Sequence, residues 1–241
     1  MNRIDIQEEI CVITLSNKPH NYLTNPEFIQ THELRQTINE NKCKAIVISG
    51  AGRHFSAGAD INHLKEMAFN ASLKNEIEKG KKLLATLKSF HLPILVSVEG
   101  ICFGGGLEIV LQADIKIASN KALFAFPETN YDIIPGLGGI VKLTHITGKS
   151  KALEIVLEGN IIDAQTAKDL KIIDYLNEPK TTFTAGINLA KSMVLQRPVE
   201  IIKAVVESVR NAENLEYSQA LDRETELFCM LAKEAIKKNE S

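Results

Sequence analysis

No C-x-x-C pair occurs in this sequence: its four cysteines, Cys11, Cys43, Cys102 and Cys229, stand far apart. That spacing suggests neither a zinc site nor a disulfide framework, and a reducing compartment is the expectation. An excess of one charge is also missing. With 28 Lys and Arg against 30 Asp and Glu the formal net charge is -2, so nothing points to a nucleic-acid partner. No apolar run approaches the roughly eighteen residues that span a bilayer. The N-terminus MNRIDIQEEI lacks the apolar stretch of a signal peptide. The expectation is a cytoplasmic protein with no membrane partner. No flexible linker or low-complexity segment interrupts the 241 residues, 44% of them hydrophobic, so one main domain with a sizeable core is expected.

What is present is a repeating strand-and-helix pattern. Residues 3–15, RIDIQEEICVITL, hold two short apolar runs split by Glu8 and Glu9, which suits a β-hairpin. From Pro26, PEFIQTHELRQTINEN places Phe28, Leu34 and Ile38 at roughly helical spacing and predicts an amphipathic helix. KAIVIS (44–49) is short and β-branched, a buried strand. A glycine-rich loop, GAGRHFSAGADI, follows it, then a charged helix over 72–90 and a strand at PILVSV (93–98). A second glycine turn runs into LEIVLQ. DIKIAS (114–119) and ALFAF (122–126) read as a third strand pair, leading to a turn crowded with Pro135, Gly136, Gly138 and Gly139. From about residue 149 the pattern is helical, punctuated by Gly159 and Pro198. Its last stretch brings Leu221, Leu227, Met230, Leu231 and Ile236 to or near one face.

The glycine loops invite a dinucleotide reading, which fails in detail. After KAIVIS, Gly50 and Gly52 supply G-x-G, but Phe55 stands where the third glycine belongs, and no G-x-x-x-x-G-K-[ST] occurs. What such loops offer instead is backbone N–H groups, unpaired at a helix start. Two of them facing one another can grip one oxygen. Glu108, two residues after the triplet Gly104-Gly105-Gly106, is on the plainest reading a charge at a helix start, where the dipole favours it. Glu128, in AFPETN, has the same plain reading after Pro127. Two acids, each tied to a glycine-bearing loop and an apolar run, carry more weight together. Paired carboxylates near backbone donors are equipment for moving protons beside an oxyanion.

HFSAGADI (54–61), VEGICFGGGLEIVLQADIKIAS (98–119) and ALFAFPETNYDIIPGLGG (122–139) together resemble the enoyl-CoA hydratase/isomerase, or crotonase, superfamily in order and spacing. A weaker resemblance runs from the first strand to about residue 230. It implies an α/β fold, a crotonase-like spiral of β-β-α units over 1–190 followed by a C-terminal helical trimerisation region over 191–241. It implies a homotrimer or a dimer of trimers, and an acyl thioester substrate. Coenzyme A or a phosphopantetheine arm belongs to that substrate, and no metal or separate cofactor is expected. The oxyanion-hole donors would be the N–H groups of Ala59 and Gly105, and the catalytic acids Glu108 and Glu128. Ala57, Gly58, Asp60, Ile61, Gly104, Pro127, Tyr131 and Gly136 would border the substrate.

Within the family, members that shift a double bond often keep one of the two glutamates, and decarboxylating members commonly lack the pair. Both acids together favour hydration of a 2-enoyl thioester, with isomerisation or decarboxylation as alternatives and a non-catalytic thioester-binding protein as a further one. His54 and His63 read as structural or surface histidines, Asp132 as a secondary candidate, Lys18 and Lys65 as exposed charges. Two departures stand out. NKPHNYLT looks about two residues shorter than the family's segment near the adenine, and the sequence ends at AIKKNES, before a basic segment usual in the family. Both are compatible with an acyl chain delivered on a carrier protein.

Overall fold

In the computed structural model, which describes residues 2–239, the chain opens with the expected hairpin. β1 (Arg3–Gln7) pairs antiparallel with β2 (Ile10–Leu15), Arg3 opposite Thr14 and Gln7 opposite Ile10. Every residue of β2 is buried, because β2 also pairs in parallel with β3 (Ala45–Gly50) and lies inside the sheet. β4 (Ile94–Val98), β6 (Ile115–Ser119) and β9 (Tyr175–Asn177) extend it to the order β1-β2-β3-β4-β6-β9, parallel after the hairpin. Helices bridge the parallel steps, as such connections require: α1 (Thr31–Glu40) from β2 to β3, then α2 (Ile61–Phe69) and α3 (Leu73–Ser89) from β3 to β4.

A second layer of short strands runs beside the first. β5 (Ile101–Phe103), β7 (Leu123–Ala125) and β8 (Ile162–Asp163) form a sheet in the order β5-β7-β8. Single parallel bridges, Ser56 to Cys102 and Leu23 to Ala59, carry that ladder across two earlier turns of the chain. Each long strand is thus followed by a short second-layer segment before its helix, which is the β-β-α spiral. α4 (Gly105–Leu111) follows β5, and a 3-10 turn (Pro127–Tyr131) follows β7.

One face of the main sheet and the second layer enclose a core of Cys11, Ile13, Ile46, Ile48, Val96 and Phe124 with α1, α3 and α4. The other face, Ile10, Val12, Val47 and Leu95, packs on Ile187, Ala190 and Val194 of α8 (Thr182–Val194). The alternation follows from the period of two along a strand. Along the chain, α5 (Gly139–Thr147), α6 (Lys149–Glu158) and α7 (Ala164–Asp169) precede α8. No helix among the described residues is long and apolar enough to cross a membrane.

Three expectations need correction. The helix expected from Pro26 begins at Thr31, because the Glu27 side chain accepts hydrogen bonds from the Thr31 N–H and hydroxyl while Phe28 and Ile29 are buried as loop. Residues 114–119 and 122–126 do not pair: β6 joins β4 and β9, and β7 joins β5 and β8. The helical C-terminal third contains β8 and β9, too short to show a period. On the last helix, α10 (Tyr217–Asn239), Leu227 is buried whereas Leu221, Met230 and Ile236 are exposed.

α9 (Val199–Asn214) is held to the core by Arg210. Its guanidinium donates to both carboxylate oxygens of Asp114, at 3.0 and 2.6 Å, and to the carbonyls of Lys88 at 2.8 Å and Leu92 at 3.0 Å. Asp114 also accepts from the Ile94 N–H, which fixes the start of β4. Substitution Arg210→Met removes the cation from the Asp114 carboxylate and the side-chain donors from the Lys88 and Leu92 carbonyls; urea unfolding is expected to show a loss of about 1 to 3 kcal/mol.

Candidate active site

The spiral sets two backbone donors side by side. Leu23 donates to the Gly58 carbonyl at 2.8 Å and accepts from the Asp60 N–H at 3.4 Å. In a β pairing the intervening residue turns its own N–H to the opposite edge, so Ala59 presents its N–H away from Leu23. On that edge β5 ends, its Phe103 N–H bound to the Ser56 carbonyl at 2.9 Å. Gly104 then turns the chain at φ 50° and caps α4, leaving Gly105 as the first residue of the helix. A first-turn N–H has no intrahelical partner. Among the described residues neither the Ala59 nor the Gly105 N–H meets a protein acceptor.

Clearance explains Gly104. A β-carbon built there would lie 2.6 Å from Glu128 Oε1 and would push that carboxylate aside, and the backbone at φ 50°, ψ -124° is one that side-chain-bearing residues rarely adopt. Glu108, one turn into α4, is 2% exposed, which rules out the plain reading of a solvated helix-start charge. Its Oε1 accepts from the N–H groups of Leu137 at 2.7 Å and Gly139 at 2.8 Å. The turn PGLGG, which the sequence offers only as a turn before a helix, is therefore the cradle of Glu108. A β-carbon at Gly139 would fall 2.8 Å from Glu108 Cγ. Burial raises the pKa of Glu108, and the donors of Gly139, Leu137 and Gly136 offset part of the rise.

Glu128 has no such cradle. Its Oε2 is buried and meets no hydrogen-bond partner among the described residues. Burial first, and then the charge of Glu108, push its pKa up to about 7. Both carboxyl pKa values are thus raised by burial, and Glu108 also has backbone donors from a neighbouring turn that favour its charged form.

Both acids open on a cavity of about 380 Å³ whose wall also includes Ala59, Gly105 and Gly136. Of the expected site residues these five meet at one surface. Ala57, Gly58 and Gly104 stand behind it as supporting backbone: Ala57 donates to the His20 carbonyl at 2.9 Å, and a β-carbon on Gly58 would sit 2.8 Å from the Phe103 carbonyl oxygen. Asp60 is spent as the N-cap of α2, accepting from Asn62 and His63, and Ile61 is the first residue of that helix. Pro127 opens the 3-10 turn and Tyr131 closes it, exposed. His54 accepts the Ile101 N–H at 3.2 Å and His63 lies near Glu66 at the surface, both structural as expected. Among the described residues no group of three His, Cys, Asp or Glu is placed to hold a metal ion.

Sequence reasoning missed Ser56 and Asn21. The fully buried Ser56 hydroxyl donates to the Asn21 carbonyl at 2.7 Å and accepts the Gly58 N–H at 3.1 Å, while its Cβ fills the space beside Gly106. Asn21, at φ 55°, donates to the carbonyls of Ala51 and His54. Together they fix both donor-bearing loops. The available signal was a small polar residue inside each of HFSAGADI and NKPHNYLT.

The folded pKa of Glu128 lies above the ordinary value of 4.5, so the protonated carboxyl is favoured in the fold; that stability is fully present below the unfolded pKa and is lost as pH rises through about 7. Glu128→Gln, which mimics the protonated form, is expected to stabilise the fold at pH 8 by on the order of 1 to 3 kcal/mol, seen as a higher thermal midpoint. The gain should vanish toward pH 5, as read by thermal melts across that range.

The family model for enoyl-CoA hydratase/isomerase matches residues 5–241. The 2,3-dehydroadipyl-CoA hydratase of Escherichia coli is 31% identical over 229 residues, 94% of this chain and 88% of that protein. The short-chain-enoyl-CoA hydratase of Clostridium acetobutylicum is 28% identical over 233 residues, 95% of this chain and 88% of its own. Among solved structures, the enoyl-CoA hydratase of Polaromonas sp. JS666 superposes with a TM-score of 0.87 at 22% identity, covering 95% of this chain and 90% of that one. That of Thermoplasma volcanium gives 0.83 at 26% identity, covering 98% and 96%. With the spiral, the paired acids and a match over nearly its whole length, the chain belongs to the enoyl-CoA hydratase/isomerase family.

Proposed function

We propose that the protein adds water to 2-trans-enoyl thioesters of coenzyme A, giving 3-hydroxyacyl thioesters, and catalyses the reverse dehydration. The observation that carries this reading is the pair of unlike carboxyls, Glu108 and Glu128, on one cavity wall with the donors Ala59 and Gly105. The thioester oxygen sits between the two N–H groups, which stabilise the negative charge that develops there as water attacks Cβ. Glu108, whose carboxylate form the N–H groups of Leu137 and Gly139 favour, takes a proton from that water. Glu128, with its pKa near 7, gives its proton to Cα. Proton exchange with solvent or between the two acids restores the starting state. Shifting a double bond needs one such acid, so the presence of both supports hydration over isomerisation; decarboxylation uses neither. The reaction requires no cofactor beyond the coenzyme A of the substrate.

The same reading covers assembly and location. Exposed apolar side chains on α9 and α10, among them Val205, Val209, Tyr217, Leu221 and Phe228, support residues 191–241 as the surface through which copies of the chain form a trimer or a dimer of trimers. A cytoplasmic site of action fits the reduced cysteines. Coenzyme A is the carrier the family relationship supports; a carrier-protein arm remains the alternative raised by NKPHNYLT, where the short segment folds with Asn17 Nδ2 donating to the Tyr22 carbonyl.

Hydration is read directly as loss of the enoyl-thioester absorbance. Glu108→Gln and Glu128→Gln should each lower kcat at least about 100-fold, the ordinary worth of a positioned acid or base. Full activity in either variant would remove the assigned roles. The dependence of kcat/KM on pH should be bell-shaped, rising above the ordinary carboxylate range as Glu108 ionises and falling above about 7 as Glu128 loses its proton. A 3-enoyl thioester converted faster than the 2-enoyl form is hydrated would favour the isomerase.

A further inference from the structure

The relatives differ in the acyl groups their names carry, so the acyl group taken by this chain has to be read from its own cavity. Beyond the two acids and the two donors, the wall is hydrocarbon. Leu64 and Met67 come from α2, Leu73 and Ile77 from α3, and Ile133 and Ile134 from the segment after the 3-10 turn. Among the described residues no lysine, arginine, hydroxyl or side-chain amide lines it. Of the α3 cations, Lys79 binds Glu76 at 2.7 Å and Lys81 binds Glu78 at 3.1 Å, so the charge of Lys81 reaches Glu108 only from outside the cavity wall. Lys81 borders a separate cavity on the far side of Leu137. A carboxylate entering the acyl cavity would lose its water, find no cation, and meet Glu108 and Glu128, both acids.

Size sets the other bound. An apolar cavity of about 150 Å³ holds benzene, or about 25 Å³ per heavy atom. On that scale the 380 Å³ here holds about fifteen heavy atoms, of which the thioester group and the attacking water take about four. A four-carbon acyl chain leaves most of the α2 and α3 wall uncovered. Ile133 and Ile134 are 43% and 67% exposed, so the apolar wall continues to the cavity mouth, where a longer chain would cover it.

We propose that the cavity selects a neutral, methyl-ended acyl chain of about eight to twelve carbons and rejects a chain of the same length that ends in a carboxylate. The selectivity deepens the hydratase reading and rests on it only where turnover is the readout. The selecting residues are Met67, Ile77, Ile133 and Ile134, with Gly136 as the clearance that leaves room: a β-carbon there would come 3.2 Å from Ile77 Cδ1.

The test has a kinetic and a binding arm. With methyl-ended 2-enoyl-CoA substrates of four to ten carbons, kcat/KM should rise about fourfold per methylene up to eight or more carbons. The eight-carbon substrate with a terminal carboxylate should fall at least about 100-fold below its methyl-ended counterpart. A maximum at four carbons, or a carboxylate-ended chain used equally well, overturns the proposal. Calorimetric titration of octanoyl-CoA and its terminally carboxylated analogue reads the cavity without turnover. Binding at least about 30-fold tighter for octanoyl-CoA, with no enoyl substrate consumed, would keep the selectivity and sink the hydratase; equal binding sinks the selectivity. At the exposed position 134, Ile134→Arg should raise the ratio of carboxylate-ended to methyl-ended activity or binding by about tenfold or more. An unchanged ratio counts against the assignment of that wall.

Discussion

Two carboxyl groups share one largely apolar wall, and the cost of ionising both there governs how the surrounding chain is built. A buried carboxylate is tolerated only with donors to hold it. The fold supplies donors to one of the pair: the N–H groups of Leu137 and Gly139 converge on Glu108 Oε1. Glu128 Oε2 is left without a partner among the described residues. The difference is therefore structural before it is chemical. The turn that begins α5 gives its donors to Glu108, which offsets part of the rise that burial causes there, while burial and then the nearby Glu108 raise the pKa of Glu128. Glycine at position 139 is required because the donor and the side chain it serves approach too closely for a β-carbon.

The meeting of these groups depends on parallel pairing in the second layer. β5 and β7 run side by side with Phe103 opposite Ala125, so whatever follows their ends is brought together. Gly105 and Glu108 follow one; Glu128 follows the other. Ala59 joins them because the ladder continues through the Ser56 and Leu23 bridges. Ser56 then acts as the spacer: its hydroxyl holds the Gly58 N–H while its Cβ abuts Gly106. Four groups drawn from three separated segments of sequence share a cavity because of strand register, with no long side chain reaching across the fold.

Much of this was legible in the sequence, for physical reasons that also mark the limit. The strands KAIVIS and PILVSV were readable because strands buried on both faces are continuously apolar. Gly104 and Gly139 could be seen as glycines but not explained: clearance beside Glu128 and Glu108 is a long-range property, set by segments about 24 and 31 positions away in sequence. β5, β8 and β9 escaped because two or three residues carry no period, and their strand character comes from the partner strand. DIKIAS and ALFAF were correctly seen as strands yet wrongly paired, since local pattern says nothing about which sheet a strand enters. The acyl wall was illegible for the same reason: Met67, Ile77 and Ile134 look like any apolar residues until the spiral faces them toward one space.

That wall does two jobs that cannot be separated. The hydrocarbon of Leu64, Met67, Leu73 and Ile77 gives an acyl chain its favourable surface. By excluding water it also produces the desolvation that leads the causes raising both acids. A bound chain fills what solvent-accessible space remains, so it strengthens the same desolvation and every charge interaction inside. Recognition of the acyl tail and activation of the acids are thus one physical effect acting at two places. A polar group brought into the wall to accept a different tail would weaken the device that keeps Glu128 protonated, unless it sat at the mouth. Ile134, at 67% exposure, is on that outer rim, whereas Ile77 and Met67 are less exposed and belong to the interior. Tail preference can therefore drift at the rim while the proton chemistry is preserved, and changes deeper in the wall alter both together.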